Sequence, residues 1–225
     1  MTHRHAFLFI SCTLLAVSAV TACSTERLSA PLGLAPNTAS ASQGPRNGGT
    51  SGYQSPTFLT ADSTAPSIAN PVVTFWAKKG VNTEVRMVYH ARAGHSDSTT
   101  FMWLRLRQLS LALYPDGSPI AVGDSVLITA TLVDPVALKL DFQPSGLRFS
   151  TTDPAELKLS FKETLHDLNG DGVVNHLDAD ILRTIAIWRK ESVTEPWLSV
   201  PSTLLSGAFE VQAKLGGFTG YAAAY

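Results

Sequence analysis

The sequence predicts an all-β fold, an antiparallel β-sandwich interrupted by one short loop and helix. From residue 66 onward, short runs of β-branched and aromatic residues alternate with turn residues. The turns recur about every 8–12 residues, a spacing typical of a sandwich. Several runs alternate apolar and polar residues with period two, as half-buried strands do. The range 66–225, about 160 residues, is long enough for one domain with a sizeable core.

Five strands are predicted in the first part of this region. The runs 84–90 and 101–107 alternate with period two, which favours strands with one buried face. The run 109–113 leads into the turn sequence Tyr-Pro-Asp-Gly, which ends it. The predicted strands are 72–76, 84–90, 101–107, 109–113 and 125–133.

Five more strands and a helix are predicted in the second part. Ile181, Leu182 and Ile185 share one helical face after Asp178, a candidate N-cap. A short helix is therefore expected at 178–184, immediately before a strand that begins at residue 185. The predicted strands are 136–142, 156–161, 185–188, 209–214 and 218–225.

The segment before this helix carries the strongest functional signal. Residues 167–178 place oxygen ligands at positions one, three, five, seven, nine and twelve of a loop, with glycine at position six. This is the ligand spacing of an EF-hand calcium loop. The candidate ligands are the side chains of Asp167, Asn169, Asp171, Asn175 and Asp178 and the backbone carbonyl of Val173.

Three positions of the loop carry further expectations. Gly172 is expected at positive φ, where the chain turns beneath the ion. Val174 is expected to point into the core. Asp178 closes the loop where Glu is usual, and it is one methylene shorter. The alternative is a surface loop rich in Asx-turns that folds without metal.

The loop also resembles a known module. With the Ala-Asp-Ile-Leu that follows it, the run 167–182 resembles one repeat of a dockerin, a bacterial calcium module with Asp at the closing position. The resemblance implies a calcium cofactor. Dockerins have two such repeats and this chain has one, so the resemblance supports calcium binding more strongly than partner docking.

The second half of the chain is similar, more distantly, to the ZU-type β-sandwich domain of ankyrins and netrin receptors. The likeness covers roughly residues 100–225, and its segments are 125–129, 142–149, 154–157 and 217–222. It implies a structural or interaction module, with the calcium loop inserted between two sandwich strands.

The N terminus is typical of an exported lipoprotein. A short basic region and the apolar run 6–20 precede Ala22 and Cys23, so residues 1–22 are predicted to be a signal peptide. The ending resembles a lipobox, which implies a lipid on Cys23 and attachment to a membrane. Ser24 resembles the sorting pattern for the bacterial outer membrane. An ordinary signal peptide with a chance cysteine is the alternative.

Residues 23–65 are predicted to be a flexible tether, because they are rich in Ser, Thr, Ala, Pro and Gly and hold few large apolar residues. An extra strand around 53–59 is the alternative. The chain has only two cysteines, Cys12 in the signal and Cys23, so no disulfide is expected in the mature protein.

Charge and motifs narrow the function classes. After loss of the signal, 16 basic residues face 18 acidic ones, and no basic stripe indicates nucleic acid. The run Gly123-Asp124-Ser125 looks like the nucleophile turn of GDSL-type esterases, but no Asp has a His three residues later, so a turn into a strand is expected instead.

The four tryptophans are expected to pack in the core, with a sugar-stacking platform as the alternative; they are Trp76, Trp103, Trp188 and Trp197. The sequence therefore predicts a non-enzymatic calcium-binding envelope lipoprotein with a structural, adhesion or recognition role. A module that docks a protein or glycan partner is the alternative, and a hydrolase is a third class.

Overall fold

The computed structural model describes residues 55–94 and 98–225. The predicted signal peptide, Cys23 and most of the predicted tether lie outside the described residues. Among the residues described, no helix combines the length and the apolar character needed to cross a bilayer.

The predicted all-β antiparallel fold is confirmed. The described residues form thirteen strands, one α-helix and a single 3-10 turn, and every strand pair is antiparallel. In chain order the elements are β1 Val72–Lys78, β2 Thr83–Val88, β3 Thr100–Leu106, β4 Leu111–Leu113, β5 Ser125–Asp134, β6 Lys139–Gln143, β7 Arg148–Phe149, β8 Ala155–Ser160, α1 His176–Leu182, β9 Ala186–Lys190, β10 Leu198–Val200, β11 Ser202–Leu205, the 3-10 turn Ser206–Ala208, β12 Glu210–Leu215 and β13 Gly220–Ala224.

Two large sheets share one hydrophobic core. The six-stranded sheet has the order β1-β5-β6-β13-β9-β10 and the five-stranded sheet has the order β11-β12-β8-β3-β2, while β4 and β7 form a small third sheet. Alternate residues of β5 are buried, among them Ile128 and Ala130, and they join Leu104 and Leu157 of the other sheet in the core. The alternation arises because successive side chains of a strand point to opposite faces.

Aromatic rings connect the strands at one end of the core. Phe142 stacks on Phe218 with 4.9 Å between ring centroids, and Phe149 meets Phe218 edge to face at 4.8 Å. The Tyr221 hydroxyl donates to the Gly217 carbonyl at 2.6 Å. A Cβ on Gly217 would lie 2.7 Å from the Leu147 carbonyl oxygen, so only glycine fits there. Two of the segments compared above with a ZU-type domain therefore meet in this core.

Residues before the predicted boundary at residue 66 also pack on the sandwich. Thr57 and Tyr225 exchange backbone hydrogen bonds of 2.9 and 3.1 Å, and the Leu59 amide donates to the Ala223 carbonyl at 3.2 Å. The Leu59 side chain is only 2 % exposed and belongs to the core. This part of the predicted tether packs on the sandwich because the apolar side chain of Leu59 is buried beside β13. The observed packing is closer to the alternative of an extra strand at 53–59 than to a flexible tether.

Replacing Leu59 by alanine tests this contact. We expect Leu59→Ala to lower the free energy of unfolding by roughly 2–5 kcal/mol, because it removes a buried side chain and leaves a cavity. Val193→Ala is the control, since Val193 is 91 % exposed and its truncation should change stability by at most about 0.5 kcal/mol. Urea unfolding measures both. Equal stability of the two variants would show that residue 59 does not belong to the core.

Three strands and the start of the helix differ from the prediction. The sequence analysis missed β7, β10 and β11, which are two to four residues long. A run this short shows no period-two pattern, and tertiary pairing decides its conformation. The helix begins at His176 and its N-cap is Asn175, so the prediction of Asp178 as N-cap was wrong.

The expectation that the tryptophans pack in the core was also wrong. None of the four is among the buried core residues, and Trp76 is 66 % exposed. The reason is the strand period: Ala77 is buried on the inner face of β1, so its neighbour Trp76 points outward. In β3 the buried neighbours of Trp103 are Met102 and Leu104.

Candidate metal centre

The loop 167–175 lies between the two large sheets in the chain. It follows β8 of the five-stranded sheet and leads into α1 and then β9 of the six-stranded sheet. It is therefore an insertion between two sandwich strands, as predicted. A contact that stabilises this loop therefore also stabilises the connection between the two sheets.

Asp167 holds the first half of the loop together. Its Oδ1 atom accepts the backbone N–H groups of Gly170 at 2.9 Å and Asp171 at 3.2 Å, and its Oδ2 atom accepts that of Gly172 at 2.7 Å. These bonds wrap the chain around one carboxylate. One oxygen, Oδ2, keeps a lone pair free of these contacts, because a carboxylate oxygen can accept two bonds.

Three further candidate ligands, Asn169, Val173 and Asn175, lie around the carboxylate of the fourth, Asp171. Its Oδ2 atom is 3.0 Å from the amide nitrogen of Asn169 and 3.4 Å from that of Asn175. The Asn175 amide also donates to the Val173 carbonyl at 3.1 Å. Asn169, Asp171, Val173 and Asn175 are thus brought together by the loop, as the EF-hand spacing predicts. The two amide N–H groups contact oxygens that a cation would use.

Asp178 closes the loop and caps the helix. The side chain is 3 % exposed. Its Oδ1 atom accepts from the amides of Leu168 at 2.7 Å and Asn169 at 3.2 Å, and its Oδ2 atom accepts from Asn175 at 2.7 Å. The Asn175 hydrogen bond, followed by those from Asn169 and Leu168, holds the Asp178 pKa below its usual range against the opposing effect of burial.

The helix start is a reciprocal capping box. The Asn175 side chain accepts the Leu177 amide at 2.8 Å, while Asp178, at the third helical position, accepts the Asn175 amide. Asp178 therefore joins the first residues of the loop to the first turn of α1. The sequence analysis expected Asp178 to be the N-cap itself, whereas it lies at the third helical position and completes the capping box of Asn175.

Two backbone positions follow or extend the prediction. Gly172 has φ +86°, as expected for the sixth loop position, and Gly170 has φ +73°, which was not predicted. The prediction that Val174 points into the core was wrong, since it is 65 % exposed. Leu168 packs against the core instead. Only one side of a surface loop faces the core. In this loop Leu168, near the start, occupies that side.

The loop is fastened to the sandwich at several points. The Tyr225 hydroxyl donates to the Leu168 carbonyl. His166 stacks on Phe209, with ring centroids 5.1 Å apart and planes at 15°. The sequence analysis missed Tyr225, whose position at the end of the chain gave no local signal of this contact. The conformation of the loop therefore depends on the packing of Tyr225 and Phe209 in the sandwich.

The donor set fits a hard cation in its chemistry. All candidate ligands are oxygens, which calcium prefers, and they come from one flexible loop. Across residues 55–94 and 98–225, however, no group of three or more His, Cys, Asp or Glu side chains is gathered closely enough to hold a metal ion. The carboxylates of Asp167, Asp171 and Asp178 are directed instead to backbone N–H groups. These same contacts also satisfy the alternative of an Asx-turn loop.

The possible esterase motif has a structural explanation. Gly123 has φ +102°, and the Asp124 carboxylate accepts the Ala121 amide at 2.9 Å. Ser125 is the first residue of β5 and is paired with Lys78 of β1. Residues 123–125 thus form a turn into a strand, as the sequence analysis expected.

The dockerin-like likeness rests on the loop sequence, and the ZU-type likeness rests on four segments, two of which meet in the aromatic core. No protein-family model matches the chain, and no similar curated protein or solved structure was found.

Proposed function

We propose that this protein is a calcium-binding lipoprotein of the bacterial cell envelope, without enzymatic activity, in which a β-sandwich serves a structural or recognition role. The observation that carries the proposal is the loop 167–178. Its sequence has the ligand order of an EF-hand, and its backbone turns at Gly172 with positive φ. Asn175 and Asp178 then begin a helix at the end of the loop.

The ion would be held by oxygen ligands within a single segment. They are the side chains of Asp167, Asn169, Asp171 and Asp178, the Val173 carbonyl, and Asn175 either directly or through water. Calcium would neutralise carboxylates and fasten the loop to α1. A structural role follows from the position of the loop, which connects β8 of one sheet to β9 of the other.

The attachment to the envelope is the second part of the proposal. Cys23 would carry the lipid, and the segment between Cys23 and the sandwich would separate the sandwich from the bilayer. The outer membrane is the proposed location, on the basis of Ser24. The absence of catalytic motifs in the sequence supports a non-enzymatic role for the sandwich.

Calcium binding is tested directly by isothermal titration calorimetry on the full-length protein. We expect one binding event per chain, with a dissociation constant of roughly 10⁻⁴–10⁻³ M, the range of extracellular calcium modules. Asp167→Asn combined with Asp171→Asn should abolish the heat of binding, because these changes remove two charges and keep the side-chain shape. Absence of binding heat in the wild type at millimolar calcium would contradict the proposal.

A further inference from the structure

A groove of about 330 Å³ lies on the outer face of the six-stranded sheet. This volume is at the lower end of the range of roughly 300–1,000 Å³ that is typical of small-molecule sites. Its lining includes Asp141, Gln143, Lys190, Glu191, Trp197 and Gly220. The lining shares no residue with the loop 167–178. It therefore forms a second candidate site, separate from the proposed calcium site.

Gly220 forms the floor of this groove. It pairs with Asp141 of β6 on one side and with Lys190 of β9 on the other. Because neighbouring strands lie about 4.8 Å apart, the Cα atoms of Asp141 and Lys190 are separated by roughly 10 Å. Glycine leaves the space between their side chains open, and these two residues form no ion pair with each other.

The fold does not require glycine at this position. A Cβ on Gly220 would lie 3.4 Å from the Lys190 carbonyl oxygen and 3.7 Å from that of Leu140, which are ordinary contacts. Its φ is also outside the left-handed region that favours glycine. A glycine inside a strand weakens the strand and often marks a close approach by a ligand. Glycine here keeps the floor of the groove free of a side chain.

A fixed aromatic ring lines the groove. Trp197 is half-buried and meets Phe58 edge to face, with 5.0 Å between ring centroids and 69° between planes. The ammonium group of Lys139 lies 4.4 Å from the centroid of the Phe58 ring. These contacts hold the Trp197 ring in place before a ligand binds, which reduces the entropic cost of binding. An indole offers an apolar surface to the C–H face of a sugar ring.

Polar groups in the groove are also pre-positioned. Gln143 donates from its amide nitrogen to Asp141 Oδ2 at 2.8 Å, and its amide oxygen accepts the Ser145 backbone N–H at 3.0 Å. Planar carboxylate and amide groups of this kind can bind adjacent hydroxyl groups. The lining carries two carboxylates and two ammonium groups, those of Asp141, Glu191, Lys139 and Lys190. This balance favours a neutral ligand over an anion or a cation.

The sheet topology disfavours an extended peptide as the ligand. The strands β6, β13 and β9 are interior strands of the six-stranded sheet, and both neighbours of each are already paired. A peptide that binds by strand addition needs a free sheet edge. The groove runs across these strands, so a peptide bound there would contact side chains and could not pair with a strand backbone.

We propose that this groove binds a neutral pyranose saccharide. The Trp197 ring packs against the C–H face of the sugar. Asp141, Gln143 and Lys190 form hydrogen bonds with its hydroxyl groups, and Gly220 leaves room for the ring. The proposal goes beyond calcium binding and adds a ligand class to the recognition role of the sandwich.

The test begins with the full-length protein on an array of immobilised neutral and charged oligosaccharides. A retained neutral sugar is then titrated by calorimetry in the presence of a calcium chelator, so that the result does not depend on the loop. We expect Trp197→Ala and Gly220→Val each to lower the affinity at least tenfold. Asp141→Asn should also lower the affinity. Because this change preserves the side-chain shape, it still tests the proposal if Trp197→Ala or Gly220→Val fails to fold.

Trp76→Ala is the matched control. Trp76 is an exposed tryptophan at the β1 edge of the same sheet, outside the groove, and its replacement should change the affinity less than twofold. Retention of no neutral saccharide would overturn the proposal, as would binding that needs Trp76 but not Trp197. Capture of only charged sugars, or of a protein partner with no sugar bound, would overturn it too.

Discussion

Replacing Cys23 by alanine should move the protein from the membrane pellet to the soluble fraction. The change removes the proposed attachment point of the lipid. Each buried CH₂ of an acyl chain contributes about 0.8 kcal/mol to membrane binding, so the loss of the lipid removes nearly all of the affinity. Within the described residues, no helix could hold the chain in a bilayer in place of the lipid.

Cys12→Ala provides a matched control, because Cys12 is the other cysteine of the chain and lies within the predicted signal peptide. That variant should stay in the membrane fraction, and radiolabelled fatty acid should be incorporated into it but not into Cys23→Ala. Fractionation followed by a high-salt wash measures the outcome. Recovery of Cys23→Ala in the washed pellet after loss of its signal peptide would contradict the lipoprotein interpretation.

The sequence predicted best the strands that have one buried face and one exposed face. In β5, and in β3 from Met102 onward, period-two alternation follows directly from burial of every second side chain, and it is visible in the sequence. The short strands β10 and β11 have little burial of their own. Their conformation depends on pairing with β9 and β12, which lies in the tertiary structure rather than in the local pattern.

The direction of large side chains was harder to predict than the strands themselves. Trp76 belongs to an apolar run, yet the register of β1 turns it outward, opposite Leu127 of β5. Hydrophobicity alone favours burial, but the alternation of side chains along the strand decides whether a residue lies on the buried or the exposed face. The sequence analysis named Trp197 as a candidate binding residue only within the alternative of a sugar-stacking platform. It did not predict the groove beside this residue, because three strands are needed to bring Asp141, Gly220 and Lys190 into one row.

Within the candidate metal centre, the spacing predicted one backbone feature but not all contacts of the candidate ligands. The positive φ of Gly172 follows from the turn that any such loop must make. The burial of Leu168 and the exposure of Val174 depend on where the sandwich lies relative to the loop. The contact between Tyr225 and Leu168 joins residues far apart in the chain, so no local pattern could reveal it.

Calcium should raise the melting temperature of the wild-type protein. A ligand that binds only the folded state stabilises it by RT ln(1 + [L]/Kd), about 2.7 kcal/mol when calcium is at a hundredfold excess over Kd. For a domain of this size, this corresponds to roughly 5–10 °C. Magnesium should produce a much smaller shift, because it requires a tighter octahedral geometry and retains its waters.

The loop variant for this experiment should keep as many hydrogen bonds of the loop as possible, even though Asp167 accepts N–H groups with both of its oxygens. Asp167 and Asp171 accept backbone N–H groups, including that of Val173 at 2.8 Å. Alanine at both positions would leave these donors without their acceptors and would lower stability even without calcium. Asparagine keeps one acceptor oxygen at each position and removes the charge. We therefore expect Asp167→Asn with Asp171→Asn to remain folded and to show no shift with calcium.

Asp116→Asn is the matched control for this pair. Asp116 accepts the Ser118 backbone N–H at 2.9 Å in an exposed turn, the same local contact that Asp171 makes with Val173. This variant should retain the full calcium shift, because it alters an Asx-turn outside the loop. If the wild type melts at the same temperature in chelator and in calcium at about a hundredfold excess over the expected Kd, then the carboxylates of the loop serve only its backbone N–H groups. The segment would in that case be an Asx-turn loop that folds without metal, despite its EF-hand spacing.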